Sequence, residues 1–152
     1  MLKKRLGLEA IEMNWASITY SIKNYFKIPS TLIIPDGCEK VGDYAFYECE
    51  GMKEVIIPES VECIEEFAFY DCRWLEEVVI PGSVKSIGDY AFYHCRELKE
   101  AVIPVSVEYI GNSAFGNCRE ATIILKKPEK NFKYIGNFAF DGCKDVKEEA
   151  GN

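Results

Sequence analysis

Seven cysteines, one histidine and 25 acidic side chains are the residues of this chain that could do chemistry. Cys49, Cys72, Cys95, Cys118 and Cys143 follow one another at intervals of 23, 23, 23 and 25 residues. A set of thiols first suggests zinc, but a tetrahedral site needs four ligands converging on one point. An evenly spaced row gives a line, and the close C-x-x-C pairs of structural zinc sites are missing, so no metal or other cofactor is expected. A disulfide framework fits no better, because the count is odd and five cysteines share one repeated position. Cys38 stands where Val61, Val84 and Val107 stand in other blocks, and Cys63 where Lys40, Ser86 and Tyr109 stand. Free Cys behaves as a small, often buried hydrophobe, so reduced core thiols are the expectation.

His94, the only histidine, lies between Tyr93 and Cys95. Cys95 belongs to the thiol row, whereas His94 occupies a variable polar position shared with Glu48, Asp71 and Asn117, so the two side chains are expected to face opposite ways. A nucleophile needs a base beside it, and no catalytic residue is assigned. Among the carboxylates, Glu54, Glu77 and Glu100 recur at one position. Glycoside hydrolysis requires two carboxyls facing each other across a cleft, and a recurring single position gives a solvated acidic ladder instead.

What positions all of these residues is an internal repeat. Ala-Phe pairs recur at Ala45-Phe46, Ala68-Phe69, Ala91-Phe92, Ala114-Phe115 and Ala139-Phe140, each followed by its Cys three residues later. The block reads Ile-Pro-x-Ser-Val-x-x-Ile-Gly-x-x-Ala-Phe-x-x-Cys-x-x-Leu. A fixed period of about 23 residues marks a unit that cannot bury its own apolar face and must stack on copies of itself.

Within each block, Val55-Ile56-Ile57, Val78-Val79-Ile80 and Ala101-Val102-Ile103 run into Pro58, Pro81 and Pro104. Short β-branched runs closed by a residue without an amide proton predict strands, stacked in parallel from coil to coil. Ile87, Ala91, Cys95 and Leu98 are spaced four, four and three apart, which predicts a helical segment in the other half of the coil. Gly42, Gly88, Gly111 and Gly136 precede Asp43, Asp89, Asn112 and Asn137, which would cap its first turn. Strand alternation turns Ile33, Ile56, Val79 and Val102 outward beside the acidic ladder. Two roles are open to that stripe: lateral packing that stabilises the parallel sheet, or a surface for a protein partner. Tyr47, Tyr70 and Tyr93 form a similar row on the opposite side, where partial packing is expected.

Leu8, Ile11, Trp15, Ile18, Ile22 and Tyr25 carry a helical spacing, although Ile18, Tyr20 and Ile22 also alternate as a strand would. The helical match covers more residues, and solenoid ends need caps, so residues 1–31 are read as a helical capping segment, 32–146 as the solenoid and 147–152 as a polar tail. Two extra residues around Lys126–Lys130 predict a wider turn in the last coil. With a net charge of -7, nucleic acid and anionic membranes are poor partners, since both require clustered Lys and Arg. Lys3, Lys4 and Arg5 are followed by Glu9 and Glu12 with no uninterrupted apolar run, so no export signal is read, and no apolar stretch is long enough to span a membrane. The chain is then either intracellular or a piece of a longer exported protein.

The block Ile80-Pro81-Gly82-Ser83-Val84-Lys85-Ser86-Ile87-Gly88-Asp89-Tyr90-Ala91-Phe92-Tyr93-His94-Cys95 resembles the BspA-like leucine-rich repeat, over roughly Leu32 to Val146. The resemblance implies an α/β solenoid, a right-handed coil of about five repeats with a parallel β-sheet on one face and short helical or irregular segments on the other. It also implies a non-enzymatic, protein-binding module of the adhesin or surface-recognition type, with secreted or cell-surface location. An intracellular interaction adaptor, or a thiol or metal protein built on the Cys row, are the alternatives. The repeat motif of that family carries no catalytic residues. On this reading the binding ladder is Ile33, Ile56, Val79 and Val102, bordered by Glu54, Glu77 and Glu100, and the partner is a protein.

Overall fold

In the computed structural model, residues 30–149 are described. The chain winds through five coils whose strands build two parallel sheets. Sheet A holds β1 (Thr31–Ile33), β3 (Glu54–Ile56), β5 (Glu77–Val79), β7 (Glu100–Ile103), β9 (Thr122–Leu125) and β11 (Asp145–Glu148), in that spatial order. Sheet B holds β2 (Lys40–Val41), β4 (Cys63–Ile64), β6 (Ser86–Ile87), β8 (Tyr109–Ile110) and β10 (Tyr134–Ile135). The sequence reading anticipates the first sheet and not the second. Pairing joins equivalent residues of adjacent coils, as in Leu32–Val55–Val78 and Val41–Ile64–Ile87.

The half of each coil read as helical is not a helix. No α-helix occurs among the described residues, where the only helical element is a single 3-10 turn at Glu129–Asn131. Two interlocking patterns replace it. Ala45, Tyr47 and Cys49 donate their amides three residues back, to Gly42, Tyr44 and Phe46, while Tyr44, Phe46 and Glu48 donate theirs to Glu66, Ala68 and Tyr70 in the next coil. A helix would turn every amide inward along its own axis. Here alternate amides must point out toward a neighbour, and the residues that accomplish this adopt positive φ: Tyr44, Phe67, Tyr90, Ser113 and Phe138, with Glu48, Asp71, His94 and Asn117. Left-handed conformation is uncommon for bulky side chains, and an inter-coil hydrogen bond accompanies it in every interior coil. Tight turns closing at intervals near four residues return Ile87, Ala91, Cys95 and Leu98 to the same side. All four are buried, and that periodicity imitates a helix.

The residues expected as helix caps serve as staples between coils. Asp43 Oδ1 accepts the Glu66 amide at 3.2 Å, Asp89 Oδ1 the Asn112 amide at 2.7 Å, and Asn112 Oδ1 the Asn137 amide at 2.9 Å. The glycines before the Asp89 and Asn112 staples are there for space: a Cβ on Gly88 would lie 2.7 Å from the Glu65 carbonyl carbon, and one on Gly111 2.4 Å from the Asp89 nitrogen and 2.5 Å from the Gly88 carbonyl carbon.

Between the sheets lies one continuous core. Phe46, Phe69, Phe92 and Phe115 stack face to face with centroids 5.2, 5.1 and 5.0 Å apart. The Cys row runs beside them. Cys49, Cys72, Cys95 and Cys118 are fully buried and Cys143 partly so, and the seven cysteines are thiols. Each interior thiol has a defined acceptor: Cys72, Cys95, Cys118 and Cys143 donate to the carbonyls of Phe46, Phe69, Phe92 and Phe115 at 3.0, 3.3, 3.0 and 3.1 Å.

The extra residues of the last coil widen the connection between β9 and β10, where Phe132 turns back into the core. Strand β11 reaches Glu148, two residues into the segment whose polarity suggested a tail. The helical cap expected over 1–31 lies outside the described residues apart from Ser30 and Thr31, and Thr31 opens β1. No helix among the described residues is long and apolar enough to cross a membrane.

Candidate functional site

Sheet A presents its outer face as a set of parallel rows. Val55, Val78 and Ala101 point into the core, as do Ile57, Ile80 and Ile103, so the residues between them project outward. Ile33 pairs with Ile56 and Ile56 with Val79, and Val102 pairs with Ile124. Val79 is 73% exposed and Ile56 44%, while Ile33, Val102 and Ile124 are half-buried. Ile124 is a fifth rung absent from the sequence reading. The spacing from Glu100 to its partner Thr122 shortens to 22, which shifts this coil out of the 23-residue frame. The alternating run Thr122–Leu125 was the signal that could have found it.

Beside this stripe the acidic row is in register: Thr31, Glu54, Glu77, Glu100 and Thr122 are successive partners. Thr31 Oγ1 donates to Glu54 Oε2 at 3.0 Å. Three carboxylates on adjacent rungs repel one another, and the structure places cations close by. Lys53 Nζ and Lys99 Nζ hold the two oxygens of Glu76 at 3.0 and 3.1 Å. Hydrogen bonds from these two lysines keep the Glu76 carboxyl below the usual carboxylate range. The edge therefore carries four carboxylates and two lysines, a mixed rim with net negative charge where the sequence suggested a purely acidic one. A groove of about 590 Å³ lies over β5 and β7, lined by Val79, Val102, Glu76, Glu77, Lys99 and Glu100.

A second concavity lies where the coils return toward sheet A. It measures about 330 Å³ and is lined by Glu48, Cys49, Glu50, Asp71, Arg73 and Trp74. Asp71 is buried, and Arg73 grips it from Nε at 3.0 and 3.1 Å and from Nη2 at 2.8 Å. His94 Nδ1 lies 3.6 Å from Asp71 Oδ1, and its ring stacks on Tyr93 at 4.2 Å. Burial pushes the His94 imidazole below its ordinary value; Asp71 acts against this, and Arg96, Arg73 and Arg119 reinforce it. Cys95 faces the other way, wholly buried on the Phe69 carbonyl, so imidazole and thiol do not meet. Burial raises the thiols of Cys72, Cys95 and Cys118, which removes the thiolate that nucleophilic or metal chemistry needs. Among the described residues, no three His, Cys, Asp or Glu side chains converge as metal ligands. Tyr47, Tyr70 and Tyr93 stack at 4.9 and 5.3 Å and are half-buried.

Residues 17–147 match the BspA type leucine rich repeat region in six copies. The chain belongs to this family. The match starts inside the segment read from sequence as a cap. Solved structures of leucine-rich repeat proteins superpose on these BspA-type coils. One is the T. pallidum leucine rich repeat protein, 27% identical, with a TM-score of 0.71 over 79% of this chain and 57% of that one. A second is a leucine-rich repeat protein from Bacteroides ovatus, 26% identical, with a TM-score of 0.63 over 77% of this chain and 37% of that one. The pneumococcal vaccine antigen PcpA, at 23% identity and a TM-score of 0.68, covers 81% of this chain and 31% of its own and shares the fold. This chain thus spans little more than half of the first of these structures and less of the others. No curated protein matches it.

Proposed function

We propose that this repeat chain is a non-enzymatic recognition module that binds a protein partner on the outer face of sheet A, in the manner of a surface or adhesin-type protein. The observation that carries this reading is the outward row Ile33, Ile56, Val79, Val102 and Ile124, whose centre leaves Val79 73% exposed over an open groove. Side-by-side packing of β-branched residues accounts for the half-buried rungs, but not for a valine left this open at the middle of the sheet. An apolar centre with a charged rim is the usual anatomy of a protein interface, and a parallel sheet paired in register lets each coil add one rung of contact. The net negative rim selects partners with basic residues flanking an apolar segment, and their binding weakens with added salt.

The test is selection of peptides from a displayed random library by the full chain, followed by binding of the selected peptides to variants. Enrichment of basic and β-branched or aromatic residues is expected. Ile56→Thr with Val79→Thr should abolish capture while leaving the circular dichroism spectrum unchanged. Retention of binding by that double variant, with loss on changing Tyr47, Tyr70 and Tyr93 to Ser, would place recognition on the opposite side and refute the assignment.

A further inference from the structure

The turn that follows the row cysteines repeats from coil to coil, and at one coil it departs from the pattern. Directly after Cys49, Cys72, Cys95 and Cys118 come Glu50, Arg73, Arg96 and Arg119, and then Gly51, Trp74, Glu97 and Glu120. Trp74 is the aromatic member of its row, and it is 55% exposed. The rung before it carries Gly51, where φ is 82° and an added Cβ would meet nothing within 4 Å. Open space therefore lies beside the indole on that rung.

Arg73 is fixed in a way that its equivalents are not. Buried Asp71 accepts from Nε at 3.0 and 3.1 Å and from Nη2 at 2.8 Å, and the Arg73 amide donates to the Asp71 carbonyl at 2.9 Å. From the next coil His94 Nδ1 stands behind the same carboxylate, 3.6 Å from Oδ1. In the following coils His94 and Asn117 occupy the place of Asp71, and Arg96 and Arg119 make neither bond. A guanidinium held through Nε and Nη2 keeps its Nη1 donors for another group, and Nη1 has no hydrogen-bond partner among the described residues.

The concavity of about 330 Å³ gathers these groups. Trp74 and Arg73 come from one coil, Glu48 and Glu50 from the coil before, and Asp71 lies behind Arg73. After Asp71, the carboxylates that raise the Arg73 guanidinium are Glu48 and Glu50, so both signs of charge face one space. Glu50 is exposed and makes no ion pair among the described residues.

The mixture of groups restricts what can occupy this space. A cation would meet the Arg73 guanidinium and offer its donors no acceptor. An anion would meet Glu48 and Glu50. A wholly apolar group would cover Arg73 and Glu50 without satisfying either, which is costly. A neutral group with hydroxyl donors and acceptors around its edge and a flat C–H face satisfies all of them, with that face on the indole. We propose that this concavity is a saccharide site that takes one pyranose ring of a neutral glycan, stacked on Trp74 and hydrogen-bonded by Arg73 and Glu50. Small-molecule sites begin at about 300 Å³, so a single ring with its substituents fills it. The site is separate from the outer face of sheet A and does not depend on what binds there.

NMR titration of the full chain with the methyl glycosides of glucose, galactose, mannose and N-acetylglucosamine tests this, with glucuronate and choline as charged controls. The chain has two tryptophans, hence two indole N–H signals, and Trp74→Glu identifies one of them by removing it. At least one neutral glycoside should bind with a roughly millimolar Kd and shift the Trp74 signal. Trp74→Glu places there the residue type that Glu97 and Glu120 already have in the next coils, so the coil keeps its fold, and it should weaken binding roughly tenfold or more. Glu50→Ala, at an exposed residue, should weaken it several-fold. A Trp74 signal unmoved by all four glycosides would overturn the proposal, and so would a glycoside affinity unchanged in either variant. Preference for choline would make the concavity a cation site and preference for glucuronate an anion site, and either result overturns it as well.

Discussion

Replacing Phe92 by Ala should be among the most damaging single changes available to this chain. Phe92 is wholly buried and stacked between Phe69 and Phe115, at 5.1 and 5.0 Å. Deleting a buried Phe costs about 3–5 kcal/mol through lost transfer energy and the cavity left behind. Two stacked neighbours, each pair contributing about 0.5–1.5 kcal/mol beyond area, place this site at the upper end. Against a typical domain stability of about 5–15 kcal/mol, one substitution removes a third or more. The stack is coupled only to nearest neighbours, so the damage is felt in the coils of Phe69 and Phe115 as well. Phe140→Ala is the internal control: it is partly buried and has one neighbour at 6.2 Å, and should cost about half as much or less. Urea unfolding followed by circular dichroism measures both. A loss below about 1 kcal/mol for Phe92→Ala, or equal losses at the two positions, would show that the aromatic column is not the core of the array.

Thiol labelling of the native protein should modify half-exposed Cys63 first and Cys143 next, while Cys72, Cys95 and Cys118 react only on unfolding. Rapid modification of four or more cysteines without denaturant would contradict the buried row. The pH dependence of stability should carry the signature of His94. Its folded-state value is depressed chiefly by burial, so the unfolded chain takes up this proton more readily. The resulting contribution is present above about 6.5 and is lost as pH falls through the lower folded value. The denaturant midpoint should therefore drop on acidification through this window, and His94→Asn should flatten that part of the profile; an identical slope in both proteins would exclude His94 as its source.

The period, the strands of sheet A, the inward and outward alternation along them and the burial of five of the seven cysteines were legible in the sequence; Cys63 and Cys143, also read as core thiols, are only partly buried. Each is written as a local pattern with a single physical reading: Val55 and Ile57 go in, so Ile56 comes out. The other half of the coil was misread because four-residue turns and an α-helix place side chains on one side with nearly the same spacing. What distinguishes them is the destination of alternate amides such as those of Tyr44, Phe46 and Glu48, which bond to a coil 22 residues away. Sheet B was invisible for a related reason. Strands of two residues, such as Lys40–Val41, are too short to alternate. The Asp71, Arg73 and His94 cluster joins residues of different coils, and the lysines flanking the acidic row became part of that site only once Glu76 was seen between them.

The clamp on Glu76 has a counterpart on the other side of the coil, where Glu62 pairs with Lys85 at 2.8 Å and Glu108 with Lys133 at 2.6 Å. Because the cores of successive coils are nearly the same, with Ala, Phe and Cys recurring in place, burial alone would let any coil stack on any other. Skipped or exchanged repeats are the characteristic misfolding hazard of such chains. The surface rows break the degeneracy by alternating in sign: Lys53, Glu76, Lys99 along one edge and Glu62, Lys85, Glu108, Lys133 along the other. At these positions docking on the true neighbour brings opposite charges together, whereas Glu39 beside Glu62 and the row Glu54, Glu77 and Glu100 keep one sign from coil to coil. One that skips a turn sets Lys53 against Lys99 and Glu62 against Glu108, so along these two stretches the alternation favours the true order of coils over a skipped one.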